Sequence, residues 1–239
     1  MFVSILIVVT SSIKTFFMCF TGLATRKFID QECRRFSHRL LKAVRTSFTV
    51  VNPHQVDIQQ YTHCVLMANH SSHYDIPLCI AALPGSIRML AKKELGRIPL
   101  FGKALQMAEF PLVDRQNPRQ AVKDLKKAEE LMRSGIIIWV APEGKRSTTD
   151  QLQPLKRGGF SLAIKTKATI IPIAIYGSRK ILPTKTLKFG LHQHVEIRIG
   201  APIDASTYNL QNAKALMGKV TNVMQQLLYT RDLSKRALK

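Results

Sequence analysis

Directly after the apolar run at 63–68 come Asn69, His70, Ser71, Ser72, His73, Tyr74 and Asp75. Three chemistries can be built from such a set. As a metal site, His70-x-x-His73-x-Asp75 offers three ligands. Zinc-binding histidine pairs on one helix, however, sit four apart, and no cysteine or second carboxylate cluster nearby completes the set. A nucleophilic serine needs a sharp elbow such as G-x-S-x-G, which this stretch lacks. General-base chemistry needs an imidazole, whose ordinary pKa of ~6.5 lets it accept a proton at neutral pH. It also needs a carboxylate to orient the ring and steady its charged form. His70 and Asp75 are five residues apart, roughly 140° around a straight helix. They meet only if the chain turns between them, with His70 in a loop and Asp75 in the first turn of a helix. Ser71 and Ser72 suit that turn, and His73 is then a bystander. On spacing alone, a polar loop with a capping Asp explains these residues equally well.

Two further polar clusters follow apolar runs. Asp114-Arg115 follows 110–113, and Glu143-Gly144-Lys145-Arg146-Ser147 follows the continuous run at 136–142. Gly permits a tight turn, and an Arg holds phosphate through two parallel bonds. Glu143, at the end of a buried strand, is an expensive place for an unpaired charge. Each cluster alone reads as a solvated loop, but three clusters, each closing a strand, are poorly explained that way. In a fourth stretch, Pro172 interrupts an apolar strand at 170–175. That predicts an edge strand, a bulge, or a place where something approaches the backbone.

The elements that must carry these clusters alternate in type. Strands are expected at 63–68, 87–91, 110–113, 136–142, 169–177 and 195–200. Helices are expected at 74–83, 97–108, 118–134 (capped by Asn117), 158–168 and about 205–230. The fold class is therefore α/β, a single largely parallel or mixed sheet flanked by helices. Ligand sites in such sheets gather at the carboxyl ends of strands, where the clusters fall.

Residues 1–24 carry a single charge, Lys14, and the next stretch is strongly basic, with Phe36, Leu40, Leu41 and Val44 at helical spacing. An apolar segment beside a basic amphipathic one points to a membrane-associating N-terminus on the cytoplasmic face, the inner membrane if the source is bacterial. Thr10, Ser11, Ser12 and Lys14 leave a full span and an interfacial helix both open. The division is 1–48 for anchoring helices and 49–239 for the α/β domain. The net charge of +21 attracts polyanions. Stacking aromatics interleaved with basic residues are not evident, and there is no finger or ribonucleoprotein motif, so a membrane and phosphorylated substrates stand ahead of nucleic acid as partners. The four scattered cysteines indicate reduced thiols.

The order N-H-x-x-x-x-D, D-R, P-E-G-x-R-S, then an apolar run with Pro, resembles the glycerolipid acyltransferase family, most closely its 1-acyl-glycerol-3-phosphate acyltransferases. The resemblance covers roughly 60–205. It implies His70 as general base and Asp75 as its partner. Arg115, Glu143, Gly144, Lys145 and Arg146 are implied around the acceptor's phosphate and glycerol, and Ile171, Pro172 and Ile173 in the acyl-donor region. It implies acyl-CoA or acyl-carrier protein as donor, a lysophosphatidate-type acceptor, a phospholipid membrane, and no metal or cofactor. Glu109 and Leu112 stand where Gly and Phe are usual in the second motif, and Lys145 stands for Thr in the third. Those departures leave another lysophospholipid or a lyso-aminolipid open as the acceptor. A non-catalytic basic binding protein is the distant alternative.

Overall fold

The computed structural model describes residues 2–236; the chain's first residue and last three, which the division above includes, lie outside them. Strand β2 (Cys64–Ala68) and strand β6 (Ile137–Val140) are buried at every position, and strand β7 (Thr169–Tyr176) at all but its two ends. Such continuous apolar runs are what a sheet covered on both faces requires. Leu66 and Ala68 face one core cluster with Trp139, Ile171 and Ile173, while Val65 and Met67 face a second with Ile138, Val140 and Ile170. The period-2 alternation of a strand thus feeds two separate cores.

The main sheet adds β1 (Ser47–Val51), β3 (Ile87–Met89) and β8 (His194–Ile199) in the order β1-β8-β7-β2-β6-β3, with β9 (Ile203–Asp204) also on β7. Only the pairings of β7 with β8 and β9 are antiparallel. The run at 87–91 divides: after β3 the chain leaves the sheet, and β4 (Ala91–Lys92) pairs β5 (Leu112–Val113) in a small parallel ribbon. Strand β1 is missing from the sequence expectation. Its five residues are mostly exposed or half-buried, so they lack a clear apolar pattern. The 48/49 division falls inside it.

Pro172 does not mark an edge. Strand β7 is central, with β2 on one side and β8 and β9 on the other. The Pro172 carbonyl accepts the Gly200 N–H at 2.8 Å, and a residue's N–H points the same way as its C=O in a strand. The missing donor therefore faces the short gap between β8 and β9, where the neighbouring ladder is already interrupted.

Helices α3 (Asp75–Ala82) and α2 (Arg26–Ala43) cover one face of the sheet, and α5 (Pro118–Arg133), α6 (Arg157–Lys165) and α7 (Ala213–Arg236) the other. Asn117 caps α5 by accepting the Gln120 N–H at 3.1 Å, and Gly135 ends it at φ 94°, the left-handed turn that favours glycine. The expected helix at 205–230 begins only at Ala213, because Asn209 and Asn212 close polar turns on each other first. Helix α1 (Phe2–Phe20) packs on α2 and on α4 (Phe101–Met107) through Ile7, Ser12 and Thr15. Lys14 bridges to Glu32 at 2.8 Å. Its other side exposes Phe2, Ile5, Leu6, Val9, Ile13 and Phe17. Buried Arg88 fastens α2 from below, 2.8 Å from Asp30 and 2.6 Å from the Ala108 carbonyl.

Candidate active site

The chain turns sharply after β2, and the turn is held from both sides. Asn69 is a backbone mimic: its amide donates to the Ile175 carbonyl at 2.9 Å and accepts the Ile175 N–H at 2.7 Å. That locks the end of β2 to the end of β7. Ser71 and Ser72 then point their N–H groups at the same Asp75 oxygen, Oδ2, at 2.8 and 2.9 Å. His70 Nδ1 meets that oxygen at 2.7 Å. The loop-then-helix turn brings the two residues together, and Asp75 begins α3. Asp75 is wholly buried and the His70 side chain about one-seventh exposed, at 15%. With Nδ1 engaged, Nε2 is the nitrogen left to take a proton. The Trp139 ring packs edge-on against the imidazole, centroids 5.6 Å apart, which limits its tilt.

Glu143 sits beneath this loop, 2% exposed. Its Oε1 accepts the His70 N–H at 2.7 Å and its Oε2 the Gln153 N–H at 2.9 Å. Burial raises its pKa, while the backbone donors from Gln153 and His70 oppose that rise. Both oxygens are therefore spent on backbone, and the carboxylate acts on the position of His70. The His70 carbonyl is in turn fixed by the Ser147 N–H at 2.6 Å. Gly144 has φ 74°, the left-handed region that favours glycine, and a Cβ there would displace only the far end of the Lys156 side chain, 2.7 Å away.

Arg115 reaches across from the end of β5 to the Gly144 carbonyl at 2.8 Å and the Leu90 carbonyl at 3.2 Å. Asp114 is a turn residue. It accepts the Gln116 and Asn117 N–H groups at 3.0 and 3.1 Å, and Lys93 lies 3.3 Å away. The Gln116 donor is the largest influence on its carboxyl, whose pKa lies below the usual range. Among the described residues, Lys145 and Arg146 have no hydrogen-bond or ion-pair partner; Lys145 is exposed and Arg146 half-buried. His73 is exposed; its protein surroundings, and then the Arg146 charge, lower its pKa.

The structure thus brings His70, Asp75, Glu143 and Gly144 together, with Arg115 linked through Gly144, at the carboxyl ends of β2, β6 and β5. Ile171, Pro172 and Ile173 lie inside the sheet, buried, beside Leu66, Met67 and Ala68 of β2, the strand that leads into the His70 loop. Asn69 and Gln153 had no role assigned from the sequence. The Asn69 contact spans 106 residues, which no local pattern reveals. A cleft of about 870 Å³ lies elsewhere, between α5 and the segment 93–112, and contains none of His70, Asp75, Glu143 or Arg146. The acid–base geometry, not volume, singles out the site at His70.

Residues 48–176, more than half of the chain, match the family model described as Acyltransferase. The chain is 31% identical to the chloroplastic 1-acyl-sn-glycerol-3-phosphate acyltransferase BAT2 of Brassica napus, over 84% of this chain and 60% of that protein. It is 28% identical to the 1-acyl-sn-glycerol-3-phosphate acyltransferase of Escherichia coli K12, over 74% and 71%. The chain spans 60% and 50% of the length of the Brassica napus protein and of the chloroplastic LPAT1 of Arabidopsis thaliana. Its fold is that of the 1-acyl-sn-glycerophosphate (LPA) acyltransferase PlsC from Thermotoga maritima, with a TM-score of 0.79 at 23% identity, over 97% of this chain and 92% of that one.

Proposed function

This chain belongs to the acyltransferase family, and from that premise we propose that it moves a fatty acyl group from acyl-CoA or acyl-carrier protein to the free hydroxyl of a 1-acyl-glycerol-3-phosphate acceptor, giving phosphatidate. The observation that carries this reading is the 2.7 Å contact between His70 Nδ1 and buried Asp75, with Nε2 left open at the sheet's carboxyl edge.

In the proposed step, His70 Nε2 takes the acceptor's hydroxyl proton as the oxygen attacks the thioester carbonyl. Asp75 steadies the imidazolium that forms. The tetrahedral intermediate collapses, the C–S bond breaks, and the thiol leaves with the proton from His70. The atoms balance with the two substrates alone. Arg146, Lys145 and the unused N–H groups of Arg115 hold the acceptor's phosphate. Gly144 and Glu143 set the loop that presents them. Ile171, Pro172 and Ile173 support the donor side from within β7. Helix α1 is long and apolar enough to cross a membrane by length and composition. Because its Ser12–Thr15 side is packed on the domain, we place it along the bilayer interface, with the cytoplasmic leaflet as the site of action.

The test is an assay of the purified chain with lysophosphatidate and each donor in turn, reading acylated product. Product with lysophosphatidate and none with phosphate-free lysolipids supports the reading. Equal rates on phosphate-free acceptors refute the role of Arg146, Lys145 and Arg115 and favour the other lysolipids that Lys145 and the altered second motif leave open.

A further inference from the structure

Outside α1, the most exposed large apolar residue among those described is Leu187, at 73%; only Phe2 and Phe20 exceed it. It lies in a compact loop, residues 181–190, whose ends are joined by the Gly190 N–H to the Ile181 carbonyl at 2.9 Å. The loop is braced internally by the Thr186 hydroxyl, which accepts the Lys188 N–H at 3.3 Å. Such closed loops hold a fixed shape and are frequently functional. An apolar tip held in water by a braced loop has a steady cost unless something covers it.

Three observations say what covers it. The first is place. Phe189 packs edge-on against Tyr74, centroids 6.2 Å apart, and the Tyr74 hydroxyl lies 3.4 Å from that of Ser4 in the first turn of α1. The loop therefore adjoins the end of α1 that exposes Phe2, Val3, Ile5 and Leu6. The second is charge. Lys185 and Lys188 flank Leu187, both are exposed, and neither ammonium has a partner among the described residues. A single apolar residue between two free ammonium groups suits an anionic headgroup layer over acyl chains. The third is attachment. The Leu182 carbonyl accepts the Ser72 hydroxyl at 3.1 Å, and the Thr184 hydroxyl donates to the Ser147 carbonyl at 3.1 Å. The loop is thus bolted to both segments that position His70.

We propose that loop 181–190 is a second bilayer contact, separate from α1. Leu187 enters the acyl region, and Lys185 and Lys188 lie against anionic headgroups. The proposal rests on the membrane reading of α1 given above. Its consequence is that the mouth of the His70 site is held at a fixed height over the lipid surface, so that a lipid acceptor reaches it from the bilayer.

The test uses the full chain with Leu187→Trp and vesicles of phosphatidylcholine and phosphatidylglycerol carrying brominated acyl chains. Native Trp139, 1% exposed, contributes a constant background. Sedimentation with the vesicles together with bromine quenching of the added emission is the expected result. Lys185→Gln with Lys188→Gln is expected to weaken binding to anionic vesicles roughly fivefold per lysine. Vesicle binding without quenching overturns the loop assignment and leaves the reading of α1 standing. Failure to bind at all overturns both.

Discussion

Glu143→Gln separates a positioning role from substrate contact. Glu143 holds the His70 N–H on one oxygen and the Gln153 N–H on the other. A glutamine keeps one acceptor and turns an amide NH₂ toward the second donor, so one buried N–H loses its partner. That costs ~1–3 kcal/mol. Removal of a charge that burial disfavours offsets part of it, leaving a net loss of about 1–2 kcal/mol, or roughly 2–8 °C in Tm. The catalytic effect is larger, because a shift of about 1 Å at a reacting group costs on the order of a hundredfold. Steady-state kinetics on the variant should show kcat reduced roughly 10²-fold with the acceptor KM little changed. The stability profile carries a second mark. Glu143 is raised in the folded state, so the folded protein holds more protons than the unfolded one between the ordinary Glu pKa and the raised one. Stability from this group therefore falls as pH rises through that window. Glu143→Gln should lose that slope. A tenfold or greater rise in acceptor KM with kcat unchanged would show that Glu143 grips the acceptor directly and would refute the positioning role.

Other outcomes follow from the same geometry. Asn69→Ala strands the Ile175 N–H and carbonyl and should destabilise by about 2–5 kcal/mol, read as a Tm drop of roughly 5–15 °C. Glu109 has φ 63° where the resembling family has Gly, and its carboxylate grips Arg26 at 2.6 and 3.0 Å. Glu109→Ala loses the pair and keeps the strain, so Tm should fall by about 2–4 °C. Glu109→Gly loses the pair but relieves the strain and should stay within about 2 °C of the unaltered protein by calorimetry.

The sheet was legible because its central strands are long apolar runs, and runs of that kind have few other uses in a chain of this size. The paired turn at 69–75 was legible as chemistry only once Asp114-Arg115 and 143–146 were seen to close other strands. What stayed hidden depended on contacts distant in sequence. Strand β1 gains its place from β8, about 147 residues on. The Pro172 exception depends on a gap in the neighbouring ladder. Glu143 reads as a site charge in sequence, yet its partners are backbone groups at 70 and 153. Glu109 looks like a change in the acceptor motif, whereas its side chain is committed to Arg26 on α2.

In the proposed mechanism His70, oriented by Asp75, is the base in acyl transfer. The direct measurement is kcat/KM for acyl transfer to lysophosphatidate by the unaltered chain, His70→Ala and Asp75→Asn, with Tm recorded for each. His70→Ala is expected to lose about 10²–10⁴-fold while staying folded, and Asp75→Asn a comparable amount through the wrong imidazole tautomer. A folded His70→Ala protein with a rate within about threefold of the unaltered chain, far short of the loss expected for a general base, would contradict this mechanism.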